Sequence, residues 1–390
     1  MMPFKVLLIG NSEEFQFSMK LFPEMLLSHL RERGVAVELL CPKTVFGKLA
    51  PWAGRLGKWL FYIDKFLLFP VVLSWRLRRE KGTVVAHICD HSNAMYVPRL
   101  QRVAHLVTCH DVMPIRSALG EVPQNPTSRT GKLFQQLILA GLRKAGCIVC
   151  VSKATQEHLL RIAKIPPERT RLIFNGLNYP YTPMAEPEAR QRFERLTGRA
   201  ATPFLLHVGG DAWYKNRAGM LAIYAALRRR LRDAGIAAPK LVYAGPSLQR
   251  ELASFAADDP AMAEDLMRVQ GASNEDLRAL YSLAECLLFP SWDEGFGWPI
   301  AEAQACGCRV VTTGRAPMTE VGGEAAFYID PADPEGSAAR VADVLGQPQA
   351  ERLACIEAGR ANAARFSSAR MIDAYLEVYR QLAAKGEARA

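Results

Sequence analysis

Short apolar runs alternate with amphipathic stretches from the beginning of the chain. The run FKVLLIG (4–10) is followed by MKLFPEMLLSHLRERG (19–34), whose apolar residues recur every three or four positions, and then by VAVELLC (35–41). Nearly continuous apolar runs are typical of parallel strands covered on both faces, and the recurrence is that of a helix. The pattern therefore predicts a strand, a helix and a second strand of a parallel sheet.

The alternation continues along the chain with one interruption. Further strands are predicted at VVAHIC, HLVTCHD and CIVCVS, and helices near 130–145 and over SKATQEHLLRIAK. The stretch 175–189 is rich in proline and polar residues without a clear period, which is typical of a connection. The alternation then restarts at FLLHVGG (204–210) and runs to AAFYID (325–330). The fold class is therefore α/β, with two Rossmann-like, doubly wound domains.

The length of 390 residues suits two domains, each with its own core. We predict an N-terminal domain over 1–177, a linker over 178–197, a second domain over 198–365 and a C-terminal helix over 366–390. In the last segment Met371, Tyr375 and Tyr379 are spaced by four residues. This spacing places them on one helix face, and we expect the helix to pack back on the N-terminal domain.

Composition narrows the class of protein. Hydrophobic residues make up 49% and charged residues 23% of the chain, which is typical of a globular protein. The nine cysteines are odd in number and scattered through apolar runs, and MMPFKVLLIG leads directly into a strand rather than a secretory signal. We therefore expect reduced thiols and a cytoplasmic location.

Positive charge is concentrated in the first half of the chain. Residues 1–195 contain 28 lysines and arginines against 15 acidic residues, a net +13, whereas the remainder is −3 and the whole chain +10. Such asymmetry indicates an anionic partner for the N-terminal half: nucleic acid, an anionic membrane or a phosphorylated substrate.

One segment, WLFYIDKFLLFPVVLSW (59–75), is strongly apolar. A membrane-spanning helix needs about 20 apolar residues, whereas Asp64, Lys65 and Pro70 interrupt these 17. Basic residues lie before, within and after it: Lys48, Arg55, Lys58, Lys65, Arg76, Arg78, Arg79 and Lys81. Two interpretations remain open: residues 46–81 contact an anionic membrane surface, or the segment is a buried crossover helix with a solvated basic end.

The segment FPSWDEGFGWPIAEAQACG (289–307) carries the most informative chemistry. A strand ends there, a loop with two glycines follows, and Pro299 stands where the first turn of a helix is expected. Glycines allow close approach of backbone N–H groups, and a helix N-terminus favours negative charge. Glu294 and Glu302, eight positions apart, offer carboxylates that accept two O–H bonds, as a vicinal diol presents. The segment therefore predicts a site for a diphosphate or a sugar.

This glutamate pair resembles that of the retaining nucleotide-sugar glycosyltransferases of the GT-B fold, family 4 (glycosyl transferases group 1). Similar segments include HVGGDAWYKN, AGPS, DLRALYSLAECLLFPSWDEGFG and PMTEVGGEAAFYIDPADPEG, with weaker ones at TCHDVMP, CIVCVSKAT and RLIFNG. The resemblance covers essentially the whole chain and is strongest over about 204–335. It implies the GT-B arrangement, in which two Rossmann-like domains face each other across a cleft.

The resemblance also implies roles for individual residues. His110, Glu294 and Lys215 would be catalytic, with Lys215 on the donor diphosphate, where a cation stabilises the leaving group. Donor contacts are expected from Glu302, on the ribose hydroxyls, and from Gly295, Phe296, Gly297, Gly210 and, at the end of the first strand, Gly10. Gly210 stands where many relatives have arginine, and Arg217 is the nearby candidate to replace it. On the acceptor side we expect Asp111 and His91.

The predicted activity is retaining transfer of a hexose, such as mannose or glucose, from a GDP- or UDP-sugar. The acceptor would be a glycan or a lipid-linked molecule in lipopolysaccharide, O-antigen or exopolysaccharide synthesis. We expect no bound cofactor and no metal, and a location that is cytoplasmic or peripheral on the inner face of the membrane. A nucleotide-sugar epimerase of the same fold is the alternative. A basic nucleic-acid-binding protein is more remote, because interleaved aromatic and basic motifs are missing, and nucleic acid is not expected as a partner.

Overall fold

A computed structural model describes residues 4–12, 17–52, 57–248, 251–252, 255 and 259–387. Contacts within the chain divide it into two compact units. Unit 1 comprises Met1–Asn178 together with Ser368–Ala390, and unit 2 comprises Tyr179–Ser367. The C-terminal helix therefore belongs to the same unit as the first half of the chain.

Unit 1 contains a six-stranded parallel sheet in the order β2-β1-β3-β4-β5-β6. Its strands are β1 (Phe4–Ile9), β2 (Ala36–Leu40), β3 (Thr83–Ile88), β4 (Ala104–Cys109), β5 (Ile148–Cys150) and β6 (Thr170–Leu172). Its helices are α1 (Phe17–Glu32), α2 (Gly57–Ile63), α3 (Phe69–Arg79), α4 (Met113–Ala118), α5 (Arg129–Lys144) and α6 (Lys153–Ala163), and the 3₁₀ segments are Phe46–Trp52, His91–Arg99 and Pro167–Arg169. A π-helical turn, Asp64–Leu68, joins α2 to α3.

Unit 2 contains a second six-stranded parallel sheet, in the order β12-β11-β10-β7-β8-β9. Its strands are β7 (Phe204–Val208), β8 (Lys240–Ala244), β9 (Leu266–Val269), β10 (Cys286–Phe289), β11 (Val310–Thr313) and β12 (Ala326–Ile329). Its helices are α7 (Glu186–Thr197), α8 (Arg217–Asp233), α9 (Pro260–Asp265), α10 (Asn274–Leu283), α11 (Trp298–Ala305), α12 (Met318–Gly322), α13 (Pro334–Leu345) and α14 (Gln349–Ala363), and α15 (Ser368–Glu387) returns to unit 1.

The strand orders create one switch point in each sheet. In unit 1 the chain moves outward from β1 to β2 and then continues on the other side through β3. In unit 2 the corresponding reversal lies between β7 and β10, which are neighbours in the sheet. Ligands of open α/β sheets bind beyond the carboxyl ends of the strands at such a point. Candidate binding and catalytic side chains are therefore expected near the two switch points.

Alternation along the strands explains why both faces of each sheet are covered. In β1, Leu7 and Ile9 belong to the core cluster on one face, while Val6 and Leu8 belong to the cluster on the other. The latter cluster includes Tyr375 and other residues of α15. Since successive side chains of a strand point to opposite faces, a continuous apolar run fills two cores. The predicted α/β class with two doubly wound sheets is confirmed.

The structure differs from the sequence interpretation over 178–197, which was assigned to a linker. Residues Glu186–Thr197 form α7, with Pro187 in the first turn and Gly198 as a left-handed C-cap at φ 68°. Phe193 is fully buried, and its ring lies 5.1 Å from that of Phe204 in β7. Pro187 lies in the first turn of a helix, where proline is common. This helix is part of the core of unit 2 rather than a connection between the units.

The apolar segment 59–75 forms α2, the π turn and α3 between β2 and β3. It has two different faces, because Phe69 and Leu73 are buried in the core while Trp59, Leu67 and Trp75 are exposed. Within the described parts of the chain, no helix has the length and apolarity needed to cross a bilayer. Of the basic residues around this segment, Arg55 and the side chain of Lys58 lie outside the described residues.

Candidate functional site

The loops that follow β7 and β10, the two strands at the switch point of unit 2, are joined by an ion pair. Nζ of Lys215 lies 2.8 Å from Oε1 and 3.1 Å from Oε2 of Glu294. The Glu294 side chain is buried, and the lysine ammonium also lies 5.0 Å from the centre of the Phe289 ring. Two residues that the resemblance assigns to the donor sugar and its diphosphate are therefore brought together.

Asn216 fixes the loop that carries Lys215. It has a left-handed backbone at φ 52°, which asparagine tolerates better than most residues, and its side chain caps α8 by accepting from N–H of Gly219 at 3.2 Å. Its Nδ2 donates to the carbonyl of Pro290 at 3.0 Å, just beyond β10. One asparagine thus ends the loop, begins the helix and ties the loop to the neighbouring strand.

The glycine-bearing loop ends at the N-terminus of α11. Gly297 is the N-cap of this helix with φ 101°, a backbone conformation that favours glycine. Phe296 beside it is buried, and its ring meets that of Phe366 edge-on at 5.4 Å. The loop formed by Gly295, Phe296 and Gly297 is therefore anchored by an aromatic contact at the start of the helix.

Glu302 lies on α11 and is buried. Oε2 of this residue accepts a hydrogen bond from the hydroxyl of Tyr281, on α10, at 2.9 Å. Burial raises the pKa of Glu302 from 4.5 to about 7, while the Tyr281 hydroxyl and the charge of Lys215 oppose this rise. Glu302 therefore titrates near neutral pH, and the tyrosine favours its ionised form.

Gly210 stands at the position where the resemblance leads us to expect an arginine, and Arg217 follows seven positions later. A Cβ at Gly210 would meet nothing within 4 Å, so packing does not require glycine there. Arg217, the candidate replacement, forms an ion pair with Glu251 and donates from Nη1 to the carbonyl of Ser247 at 3.2 Å. A phosphate would have to compete with these partners for Arg217. That Arg217 takes the role of the arginine expected at position 210 stays a prediction.

In unit 1, His110 follows β4 and is buried. Its Nε2 donates to the carbonyl of Cys89 at 2.9 Å, and its ring meets Phe22 edge-on at 4.7 Å. Burial lowers the pKa of His110, so the ring is neutral at neutral pH, and this effect exceeds the opposing influence of Asp90. Because Nε2 holds the proton, Nδ1 of His110 is left as a hydrogen-bond acceptor.

His91 and Asp111 follow neighbouring strands of the same sheet. His91 is buried with Nδ1 3.4 Å from Oδ1 of Asp90, and this nitrogen has no hydrogen-bond partner among the described residues. Oδ1 of Asp111 accepts from N–H of Met113 at 3.0 Å and so stabilises the start of α4. Asp111 therefore has a structural function, and its predicted acceptor role, like that of His91, stays a prediction.

Two residues of unit 1 have different surroundings from those expected. Gly10 donates its N–H to the carbonyl of Leu40 at 2.9 Å, and a Cβ there would lie 2.9 Å from Sγ of Cys41. Close packing thus explains this glycine, and its N–H is already used. His87 lies inside β3, and its ring bonds to Tyr379 and Thr108 in the core.

Tyr281 is a site residue that the sequence did not reveal. It lies 21 positions before Glu302, within a helix whose apolar pattern gives a tyrosine no special status. The hydroxyl contact depends on how α10 packs beside α11, which spacing alone does not encode.

The described residues contain no cluster of three or more His, Cys, Asp or Glu side chains that could hold a metal ion.

These features define a class of protein, an α/β chain of two doubly wound units with the GT-B fold. Solved structures support this fold over almost the whole chain. A glycosyltransferase from Rickettsia africae aligns with 98% of this chain and 99% of its own at a TM-score of 0.69 and 15% identity. Sucrose-phosphate synthase from Thermosynechococcus elongatus aligns with 98% of this chain and 99% of its own, at a TM-score of 0.73 and 21% identity.

Comparison with protein families gives the assignment. The model described as Glycosyltransferase Family 4 matches residues 24–179, and the model described as Glycosyl transferases group 1 matches residues 202–347. The chain belongs to this family of glycosyltransferases, and the resemblance drawn from the glutamate pair is confirmed. It is an enzyme of the glycosyltransferase class.

Curated relatives share moderate identity. The O-antigen chain mannosyltransferase B of Escherichia coli is 27% identical over 306 residues, which cover 77% of this chain and 75% of the relative. The D-inositol 3-phosphate glycosyltransferase of Thermobispora bispora is 29% identical over 286 residues, or 69% of this chain and 63% of the relative. This chain therefore spans three quarters of the first relative and less than two thirds of the second.

Proposed function

We propose that this glycosyltransferase transfers a hexose, mannose or glucose, from a GDP- or UDP-sugar to a hydroxyl of a glycan or lipid-linked acceptor, with retention at the anomeric carbon. The relative from Escherichia coli is named as an O-antigen chain mannosyltransferase, which supports mannose and an O-antigen type of acceptor. HepE of Anabaena, a fold match at a TM-score of 0.68, was solved with UDP and glucose, which supports a nucleotide-sugar donor.

The ion pair between Lys215 and Glu294 is the observation that carries this proposal. A donor brings a diphosphate, which competes with Glu294 for the ammonium, and sugar hydroxyls, which donate to the carboxylate in place of the ammonium. Glu302 then accepts from the ribose hydroxyls. The leaving diphosphate takes the proton of the acceptor hydroxyl as the C–O bond to the donor breaks and the new glycosidic bond forms on the same face.

The test is a donor panel with purified full-length enzyme and membranes that contain O-antigen-type acceptors. Release of GDP or UDP together with a new glycan would support the proposal, and NMR of the product gives its anomeric configuration. An inverted product would overturn retention. Conversion of the donor sugar to an epimer, without release of nucleoside diphosphate, would favour the epimerase alternative. Glu302→Ala should remove activity with every donor, and Lys144→Gln, an exposed lysine of unit 1, is the control.

We also propose that residues 46–81 contact an anionic membrane surface. Large exposed hydrophobic side chains are concentrated there, and we call the following set the apolar face: Phe46, Leu49, Trp59, Leu67, Val71 and Trp75. Leu67 is 65% and Val71 64% exposed. Large exposed apolar side chains concentrated in one segment are typical of protein or membrane contacts.

Charge favours a membrane as the contact. Arg78, Arg79 and Lys81 are exposed at the end of α3, and the guanidinium of Arg79 lies 3.7 Å above the ring of Trp75. An amphipathic helix with aromatic residues on its apolar side and basic residues at its edge is suited to the headgroup region of an anionic bilayer. The buried side of the same segment, with Phe69 and Leu73, holds it on unit 1.

Co-sedimentation with vesicles tests this surface. Wild-type enzyme should bind vesicles of phosphatidylcholine with phosphatidylglycerol at low salt, and less at high salt because the charges are screened. The double variant Leu67→Ser, Trp75→Ser should lose binding, whereas Leu353→Ser, an exposed leucine of unit 2, should retain it. Absence of wild-type binding at low salt would overturn the membrane proposal without affecting the transfer reaction.

A further inference from the structure

A cavity of about 230 Å³ lies at the switch point of unit 1. Asn11, after β1, and Ser92, after β3, line its side at the sheet, and Phe61, Tyr62 and Lys65 line it from the apolar segment. The carboxyl ends of the two strands on either side of the reversal therefore form one wall. Since switch points are where open α/β sheets bind ligands, this cavity is a candidate site on the unit that carries the predicted acceptor-side residues.

Lys65 gives the cavity its chemical character. Lys65 is, with Lys43, one of the two lysines that line the cavity. Its backbone is held, because its carbonyl accepts from the hydroxyl of Tyr96 at 2.8 Å. Burial lowers the pKa of Lys65, and the charge of Asp90 only partly opposes this. An anion in the cavity would offset the desolvation of this ammonium.

The acidic residue of the cavity, Asp64, accepts hydrogen bonds from backbone groups. Oδ2 of Asp64 accepts from N–H of Val45 at 3.0 Å and of Gly47 at 2.8 Å, while Oδ1 accepts from N–H of Phe46 at 3.0 Å. This carboxylate therefore holds the preceding 3₁₀ segment in place. The remaining charged group in the lining is Lys43.

Neutral donors complete the lining. The hydroxyl side chains of Ser12, Thr44 and Ser92 face the same cavity as the two lysines. Hydroxyls and ammonium groups together match an oxyanion with several acceptor oxygens, and lysine is a common ligand of phosphate. The excess of 13 positive charges over residues 1–195 attracts the same class of ligand over a longer range.

We propose that this cavity binds a phosphate group of the acceptor, with Lys65 as its principal ligand. This inference rests on the proposed function and names the chemistry of the acceptor. Phe61 and Tyr62 lie in the same segment as Trp59 and Leu67 of the apolar face, so one short segment contributes to both the cavity and the proposed membrane surface. Two acceptors would present such a phosphate: a lipid phosphate in the membrane and a soluble sugar phosphate.

Binding of inorganic phosphate tests the site independently of transfer. The titration uses full-length enzyme with Lys215→Gln, which removes the lysine proposed to bind the donor diphosphate. Adding Lys65→Gln should weaken phosphate binding about tenfold, whereas Lys65→Arg should largely restore it. Lys144→Gln, at the opposite edge of the sheet, should leave binding unchanged. Melting temperatures of all variants verify that each is folded.

A second titration distinguishes the two sources of phosphate. Farnesyl phosphate in phosphatidylcholine vesicles is compared with inorganic phosphate on the same variants. Tighter binding of farnesyl phosphate that depends on Lys65 indicates a lipid-linked acceptor, and equal binding that depends on Lys65 indicates a soluble phosphate. Binding that Lys65→Gln does not weaken overturns the inference. Because no sugar is transferred in either titration, failure here leaves the test of the proposed function unaffected.

Discussion

Lys215 and Glu294, 79 positions apart, form a two-pronged contact in which Nζ lies within 3.1 Å of both carboxylate oxygens. Each partner compensates the desolvation of the other, because an unpaired buried charge is costly. Their loops are fixed to each other as well, since N–H of Trp292 donates to the carbonyl of Tyr214 at 2.7 Å. The site after β7 and β10 is therefore preorganised, and the proposed donor would replace one partner of this pair rather than order a loose loop.

Loss of the Lys215 charge should reduce the transfer rate more than donor affinity. Lys215→Gln removes the cation proposed to stabilise the leaving diphosphate, whose charge grows in the transition state. We expect kcat to fall about 10²- to 10³-fold, the range typical of losing one electrostatic contact to a transition state. Steady-state kinetics with the donor identified by the panel gives kcat and KM separately.

The partner variant separates the two roles of the pair. Glu294→Gln keeps the shape of the side chain and leaves Lys215 without its counter-charge, so donor binding through the diphosphate should survive while sugar contacts weaken. Product GDP or UDP should accordingly bind at least as well as to wild type, as calorimetry can measure. Weaker binding of the nucleoside diphosphate to this variant would contradict the assignment of Glu294 to the sugar.

Tyr281 is predicted to be a positioning residue that acts through Glu302. Tyr281→Phe removes the hydroxyl that favours the ionised carboxylate, so the pKa of Glu302 should rise further above about 7. Donor binding that requires ionised Glu302 should then have its midpoint at higher pH. At neutral pH we expect about fivefold weaker binding, equivalent to one hydrogen bond of about 1 kcal/mol.

A pH series distinguishes this role from a structural one. If Tyr281 only fills space, Tyr281→Phe leaves the midpoint of the binding profile where it is in wild type. Tyr224→Phe provides the matched control, because this buried tyrosine of α8 donates to the carbonyl of Pro239 at 2.9 Å and lies on another helix of unit 2. The control should leave the pH profile unchanged.

Glu302 should also affect stability in a pH-dependent way. Its pKa in the folded protein is about 7, against 4.5 ordinarily, so folding favours the protonated form. Stability from this group is complete below about pH 4.5 and is lost as pH rises through about 7. Glu302→Gln mimics the protonated form and should therefore be more stable than wild type by about 1–3 kcal/mol near pH 8. Urea unfolding should show this difference shrinking toward pH 4.5, and a constant difference would contradict the raised pKa.

Sequence patterns predicted those features that depend on local order. Apolar runs predict the strands, and the glycines together with Pro299 predict the loop before α11. Each of these signals lies within a few neighbouring residues. The contact of Tyr281 with Glu302 and the three N–H hydrogen bonds to Asp64 join residues that only packing brings together. Helix α7 was missed for a related reason, since Phe193 is recognisable as core only once Phe204 lies against it.

The C-terminal helix offers a stability prediction for unit 1. Nδ1 of His87 lies 2.7 Å from the hydroxyl of Tyr379, and its Nε2 lies 2.7 Å from Oγ1 of Thr108. The hydroxyl of Tyr375 is 2.9 Å from the same Oγ1. Burial lowers the pKa of His87 to about 3, so the ring stays neutral and both of its nitrogens are bonded in the core. This network joins α15 to β3 and β4.

Tyr379→Phe should destabilise the protein because it leaves one buried ring nitrogen of His87 without its partner. We expect a loss of about 1–3 kcal/mol in the free energy of unfolding, the cost of an unsatisfied buried polar group. The loss should be the same from about pH 5 to pH 8, since His87, with a pKa of about 3, does not titrate in that range. Urea unfolding of full-length protein at several pH values checks both points. A loss that shrinks toward acid pH would show that His87 takes up a proton once the tyrosine hydroxyl is removed, because a protonated ring in the folded variant matches the proton uptake of the unfolded chain.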